Sequence, residues 1–337
     1  MGLIPKLAAY VLYTLASHIS VRLWIPAASY NAGDTHTNVL SLISARSEGT
    51  LQRQTYTARL LQKACISESA QCYHLEFAVD ELERFDFAAG QFISAVAADE
   101  RGKTQTRAYS IASAASENRF DLCVNRVEGG FFSNHLCDLP EGGAVQVHGP
   151  HGHFTLHQPV TDSIFVATGT GVAPMRGFTQ WLFPEQGPDA GMDRSEGRQI
   201  WLIYGTRHES EIYYRNYFER LAEERENFHY VTTLSRGGDE WAGKRGYVQE
   251  HLSDIVASRG GVRESPVQTV QSMDAVGAAV GSVTETVVAV EERVAAEPLA
   301  FDIHTYICGL NNMVSEVRER LKGFGWHRKQ IIFERYD

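Results

Sequence analysis

The chain changes rhythm at Gly149-Pro150, and that change limits its fold more than any single motif does. Upstream, short alternating or aromatic-rich runs are separated by Gly, Asp, Asn and Pro: Tyr56 to Leu61, Cys72 to Val79, Gln91 to Val96, Thr106 to Ala112, Arg119 to Val127 and Ala144 to His148. Strands at this spacing predict a small antiparallel barrel. A single helix is expected among them, from Ser133 to Leu139, between Gly129-Gly130 and Pro140. Downstream, apolar strands at Ser163 to Ala167, Gln199 to Tyr204, Tyr230 to Leu234 and Thr305 to Cys308 alternate with helical stretches such as Tyr214 to Glu224 and Asn312 to Lys322. That alternation predicts a parallel sheet with helices on both faces. The expected architecture is an all-β antiparallel barrel over residues 53–160, followed by an α/β doubly wound parallel sheet over 161–337. A chain of 337 residues is long enough for two separate cores.

Two stretches stand outside this scheme. Residues 1–52 form an extension whose uncharged run, Leu7 to Val21, is broken by Thr14, Ser17, His18 and Ser20. A spanning helix wants about 20 mainly apolar residues, so membrane association through residues 3–29 is an alternative that the run does not favour. A signal peptide with Ala27-Ala28-Ser29 near its cleavage point is another. Residues 262–298 contain no aromatic side chain and read as an inserted loop, with one helix around Thr284 to Ala295.

The formal charge of -10 argues against nucleic acid as a partner. Cys65, Cys72, Cys123, Cys137 and Cys308 form no C-x-x-C pair, so no metal centre is expected. Their odd number fits reduced thiols in a cytoplasmic compartment.

Chemistry concentrates in four places. Arg107-Ala108-Tyr109-Ser110 lines up a cation, an aromatic face and a hydroxyl on one strand. Alternation puts Arg107 and Tyr109 on one face and Ser110 on the other, which is the set a flavin needs for pyrophosphate, ring and ring nitrogen. Thr168-Gly169-Thr170-Gly171-Val172-Ala173-Pro174 follows an apolar strand and opens a helix, the order that offers free amides to a phosphate. Gly129-Gly130-Phe131-Phe132-Ser133 offers a second such site, with Ser133 as the expected N-cap. Ser235-Arg236 and Lys244-Arg245-Gly246-Tyr247 put a hydroxyl, cations and an aromatic where the adenosine end of a dinucleotide sits. Ser and Arg there, instead of an acid, point to NADP over NAD.

Several motifs occur in a fixed order: Arg107-x-Tyr109-Ser110, Cys123-Val124, Gly130-x-x-Ser133-Asn134-x-Leu136-Cys137-Asp138-Leu139, Gly149-Pro150-x-Gly152, the Thr-Gly-Thr-Gly turn, Ser235-Arg236, Cys308-Gly309-Leu310 with Met313, and Glu334-x-Tyr336. Over residues 55–337 the chain thereby resembles the plant-type ferredoxin-NADP+ reductases. The resemblance implies FAD on the barrel, NADP(H) on the second domain, and electron exchange with an acidic carrier, ferredoxin or flavodoxin. It implies Arg107 on the FAD pyrophosphate, Tyr109 against one ring face and Ser110 near flavin N5. Cys123, Val124 and Ser133 would line the FAD, together with Ala108, Asn125, Phe131 and Phe132. Thr170, Ser235, Arg236, Tyr247, Gln249, Gly309 and Leu310 would contact NADP, with Arg245 beside them. Cys308 would orient the nicotinamide without acting as a nucleophile. Glu334 would pass a proton toward N5 through Ser110, and Tyr336 would cover the other ring face until nicotinamide displaces it.

The chain departs from the family pattern at two points. Asn125 stands where a lysine often follows Cys-Val, which moves an NADP contact to Arg126 or removes it. Asp337 follows the stacking tyrosine instead of ending on it. Candidate cations for a carrier-docking patch are Lys63, Arg101, Lys103, Arg328 and Lys329. The alternative activity is an NADPH-dependent flavoprotein reductase serving a haem protein or oxygenase. A non-catalytic flavin-binding or membrane-tethering protein is the alternative of another class. Ser113 in place of the Thr-Pro of the cytochrome b5 reductase type, with Cys-Gly-Leu and the terminal Glu-x-Tyr, favours the ferredoxin type.

Overall fold

The computed structural model describes residues 54–258 and 302–336. The extension over 1–52, the insert over 262–298 with its expected helix, and Asp337 lie outside the described residues.

Six strands form the first sheet: β1 (Tyr56–Ser67), β2 (Cys72–Val79), β3 (Phe92–Ala98), β4 (Thr104–Ser110), β5 (Arg119–Asn125) and β6 (Ala144–His151). Their order is β4-β3-β6-β1-β2-β5, every pairing antiparallel. The two edges meet where β4 runs out: Ile111 bridges Leu122, and the Ala112 amide donates to the Asp121 carbonyl at 2.8 Å. That contact closes the barrel and leaves no open edge there. Inside it, Phe77, Phe85 and Phe120 pack with Leu60, Leu75 and Ile93. β1 continues past Leu61, where the alternation breaks, because bulges between Leu60 and Gln62 and between Cys65 and Ser67 absorb the irregularity.

The helix of the barrel, α1 (Phe131–Asp138), starts two residues before the sequence pattern places it. Gly130 is the N-cap, and Gly129 at φ 68° turns the chain into it. Ser133 is therefore not the cap. It lies inside the first turn, and its Oγ accepts from the Val127 amide at 3.0 Å. At the other end, Lys63 Nζ donates to the Cys137 and Leu139 carbonyls, both at 2.9 Å, and caps the helix C-terminus.

The second sheet contains β7 (Asp162–Thr168), β8 (Ile200–Thr206), β9 (Phe228–Leu234), β10 (Lys244–Arg245), β11 (Ile303–Leu310) and β12 (Ile331–Tyr336). Its order is β10-β9-β8-β7-β11-β12, parallel throughout. Alternate residues of β7 serve opposite cores. Phe165 and Ala167 pack with α2 (Val172–Leu182) and α3 (Arg215–Glu224). Ile164 and Val166 pack with α4 (Leu252–Ser258) and α5 (Asn311–Gly323). Strand order reverses between β7 and β11, and in open α/β sheets the crevice outside the carboxyl ends at such a switch point is where ligands bind. β7 ends there in the glycine turn Gly169–Gly171, and β11 carries Gly309 as its penultimate residue.

Candidate active site

The tail of the chain is a sheet strand, and its register builds the site. Along β11 and β12, Cys308 pairs with Glu334, Gly309 with Arg335 and Leu310 with Tyr336, while Ala167 of β7 flanks Cys308 on its other side. Glu334 and Tyr336, two apart, project from one face. That face meets the end of β4, where Ser110 is buried opposite Phe92. Ser110 Oγ donates to Glu334 Oε2 at 2.9 Å and accepts from the Tyr336 hydroxyl at 2.8 Å. Cys308, fully buried, is in register with Glu334 on the neighbouring strand. Three residues separated by up to 226 positions thus form one hydrogen-bonded cluster, with Cys308 beside it.

Burial sets the electrostatics of this cluster. It raises the Glu334 carboxyl above the usual carboxylate range, and the Ser110 hydroxyl pulls it part of the way back. It also pushes the Cys308 thiol up, reinforced by the Glu334 charge and opposed by the Tyr336 hydroxyl. A thiol held protonated is a poor nucleophile. The chain of donors runs from Tyr336 through Ser110 to Glu334, an arrangement able to move a proton to or from the Ser110 hydroxyl.

Around the switch point glycines let the segments that line it pack closely on one another. A Cβ on Gly309, at φ 154°, would fall 2.4 Å from Thr168 Oγ1 and 2.5 Å from Met313 Cε. A Cβ on Gly171 would fall 2.2 Å from the Cys308 carbonyl oxygen. Thr168 Oγ1 is buried there without a hydrogen-bond partner. The Val172 amide at the start of α2 donates to the Gly169 and Thr170 carbonyls, so a cradle for a dinucleotide pyrophosphate would draw its donors from the Gly169–Gly171 turn before it. The barrel offers a second concavity of about 740 Å³, between Asp99 and Arg101 of the β3–β4 hairpin and Gly130, Phe131 and His135 of α1. These two cradles and the Ser110 cluster fit a flavin dinucleotide and a nicotinamide dinucleotide.

The remaining expected residues fall into distinct environments. On β4, Arg107 and Ala108 are exposed, while Tyr109 leans on the barrel core and its hydroxyl is pushed up to about 12 by burial. At the end of β5, Val124 faces the barrel core and Cys123 faces the neighbouring core, 3.6 Å from Cys72 Sγ. Asn125 accepts from the Tyr213 hydroxyl at 2.9 Å. Arg126, the alternative to a lysine there, is instead tied to Asn134 at 2.9 Å and Asp138 at 2.6 Å. Phe131 and Phe132 open α1, with Phe132 buried. Thr170 lies in the Gly169–Gly171 turn.

Beyond β9, Ser235, Arg236 and Tyr247 are exposed. Arg245 holds their loop, donating to the carbonyls of Gly237, Gly238 and Trp241 at 2.7, 2.8 and 2.9 Å. Gln249 donates to Glu316, and Leu310 stands 62% exposed above the switch point. Gly171 belongs to the glycine turn itself, whereas Arg176 borders the site with no sequence signal beyond its place in the helix that follows the turn.

An antiparallel barrel joined to a parallel sheet, with a hydrogen-bonded Ser110-Glu334-Tyr336 cluster between the barrel and the switch point, defines a flavin- and nicotinamide-dependent oxidoreductase. Residues 57–156 match the oxidoreductase FAD-binding domain and residues 165–270 the oxidoreductase NAD-binding domain. The chain is 34% identical over 290 residues to ferredoxin–NADP reductase B of Sorangium cellulosum, covering 85% of this chain and 100% of that one. It therefore belongs to the ferredoxin–NADP+ reductase family. The phenol hydroxylase P5 protein of Acinetobacter pittii is 29% identical over 62% of this chain, which spans 56% of that protein. A ferredoxin-NADP+ reductase from Plasmodium falciparum, solved with 2'P-AMP, shares the fold at a TM-score of 0.62 and 20% identity, over 84% of this chain and 97% of that one. Among the described residues no His, Cys, Asp or Glu cluster has metal-binding geometry, and no helix is long and apolar enough to cross a membrane.

Proposed function

We propose that the chain exchanges hydride with NADP(H) at a bound FAD and passes single electrons to a small acidic carrier of the ferredoxin or flavodoxin type. The carrying observation is the hydrogen-bonded convergence of Ser110, Glu334 and Tyr336 beside Cys308. When bound, FAD supplies the junction between two-electron and one-electron chemistry. The protein's part is alignment and proton control. Ser110 presents its hydroxyl to the flavin N5 edge, and Glu334 holds or releases the proton that accompanies electron transfer. Tyr336 covers the ring face that nicotinamide takes, while Cys308 and Gly309 shape the nicotinamide's seat. Arg107 and the first turn of α1 take the FAD phosphates, and Tyr109 takes the second ring face. Ser235, Arg236 and Tyr247 take the 2'-phosphate and adenine of NADP(H), with Arg245 shaping the loop that presents the first two.

Carrier docking gains support from a groove of about 450 Å³ along α5 and β12. Arg318, Lys322, Arg328 and Lys329 surround the apolar floor of Ile331 and Phe333. On a chain of net charge -10 such a basic groove is a local exception, complementary to an acidic protein. Of the other candidate cations, Lys63 is committed to capping α1. The oxygenase-reductase alternative draws its support from the phenol hydroxylase relative. Five free cysteines, an odd number, support a reducing, cytoplasmic compartment.

Steady-state reduction of a panel of ferredoxins, flavodoxins and cytochromes by NADPH tests the assignment. Ferredoxin or flavodoxin turnover is expected to lead the panel and to fall as salt rises from about 0.05 to about 0.5 M, because screening shortens the reach of the groove. Faster turnover with a cytochrome, indifferent to salt, would favour the alternative.

A further inference from the structure

One helix touches both halves of the site. At its start, Gly171 presses on the Cys308 carbonyl. Five residues and about 7.5 Å further along α2, Arg176 reaches the barrel. Its guanidinium donates to the Ala112 carbonyl at 2.7 Å and to Asp121 Oδ2 at 2.8 Å. It also lies over the rings of Tyr214 and Tyr217, at 5.0 and 5.7 Å. Next to it, Gly177 packs on the Ser113 carbonyl, where a Cβ would fall 2.9 Å away. One turn later, Gln180 accepts from the Ala114 amide at 3.1 Å. Residues 112–114, directly beyond Ser110, are thus gripped at three points by the helix whose first turn borders Cys308.

Burial makes this grip specific more than strong. The side chains of Arg176 and Asp121 are 14% and 17% exposed, and the cost of stripping water from such a pair offsets much of their attraction. His74 lies 3.7 Å from Asp121, but burial holds its imidazole below the ordinary value, which leaves Asp121 to Arg176. What the pair fixes is direction. Both bonds leave one nitrogen, Nη1, toward acceptors on β5 and on the segment just beyond β4, so a slide of one segment against the other breaks at least one of them, and a buried carbonyl deprived of its donor is costly.

Resting on the function proposed above, we propose that Arg176 is a positioning residue for hydride transfer. It sets the separation between the end of β4, which carries Ser110, and the end of β11 at Cys308-Gly309, and so the approach of nicotinamide to flavin. Reacting atoms must be held within about 3–3.5 Å, and small misplacements cost large factors in rate.

Arg176→Met and Arg176→Lys holoenzymes test this beside the native protein. Three readouts are used: anaerobic flavin reduction at saturating NADPH, titration with 2'-phospho-AMP, and hydrogen exchange at the amides of Ala112, Ser113 and Ala114. Both variants are expected to retain FAD and to bind 2'-phospho-AMP within about twofold of native. Flavin reduction is expected to slow by about tenfold or more in Arg176→Met and by less in Arg176→Lys, as expected for lost alignment, while exchange at the three amides quickens in the same order. Native reduction rates in variants that keep FAD would overturn the proposal, as would unchanged exchange. Should Arg176→Met fail to hold FAD, Arg176→Lys decides between the same outcomes. A native protein that neither holds FAD nor is reduced by NADPH would refute the function itself, a result distinct from either.

Discussion

In the proposed function, Glu334 is the residue on which the proton chemistry turns. Replacing it by Gln keeps the shape and removes the exchangeable proton, so turnover with a one-electron carrier is expected to fall roughly 10²-fold. Native turnover would end the relay. The same substitution has a stability signature. Because burial raises the carboxyl, the native state holds its proton more tightly than the unfolded chain does, and stability is lost as pH rises through the ordinary Glu range and above it. The melting temperature of Glu334→Gln, measured against native, is therefore expected to gain steadily from about pH 4 to about pH 6. A constant difference would contradict the shift. The cysteines offer a second check. Cys65 is exposed, whereas Cys72, Cys123, Cys137 and Cys308 are buried, and burial raises the thiols of Cys72, Cys137 and Cys308. Iodoacetamide should modify Cys65 and leave Cys308 intact in the folded protein. Rapid labelling of Cys308 would point to a nucleophilic thiol. The members of the relay were legible in sequence order, but their contact was not: no local pattern reports that Ser110 and Tyr336, 226 positions apart, share a hydrogen bond.

At the level of elements, strands and helices with clean periodicity were readable, and the exceptions have physical causes. β1 outruns its alternation because two bulges reset its register. α1 begins early because Gly129 supplies the turn, which displaces Ser133 from the cap. The tail gives little sign of being a strand, since Phe333 and Arg335 face outward on a sheet edge and blur the apolar pattern of a parallel strand. Gly171 shows what the structure adds to a motif. Its backbone is ordinary right-handed, φ -60° and ψ -11°, so freedom of conformation does not require glycine there. Space does, because the nearest atoms to an added Cβ belong to the Cys308 backbone, which has no side-chain route of escape. Gly171→Ala is expected to cost about 1–3 kcal/mol in chemical denaturation, as overpacking does. An unchanged midpoint would contradict this packing of α2 on β11.

Across the whole molecule, the barrel and the parallel sheet each bring half of a site, and neither half is complete alone. Ser110 comes from the barrel, and Cys308, Glu334 and Tyr336 come from the sheet. Composition argued against nucleic acid as a partner and length allowed two cores on the chain, yet both were silent about the seam where Arg176, Asp121 and Ala112 meet. Such a seam is built from single residues far apart in sequence, which leave no period to detect. In the proposed function this seam brings a bound flavin and NADPH together, and anaerobic titration of the FAD-loaded protein is the decisive measurement. Stepwise NADPH is expected to bleach the flavin absorbance with an endpoint near one equivalent, and much faster than NADH does. A protein that holds no FAD, or whose flavin stays oxidised under excess NADPH, would contradict it.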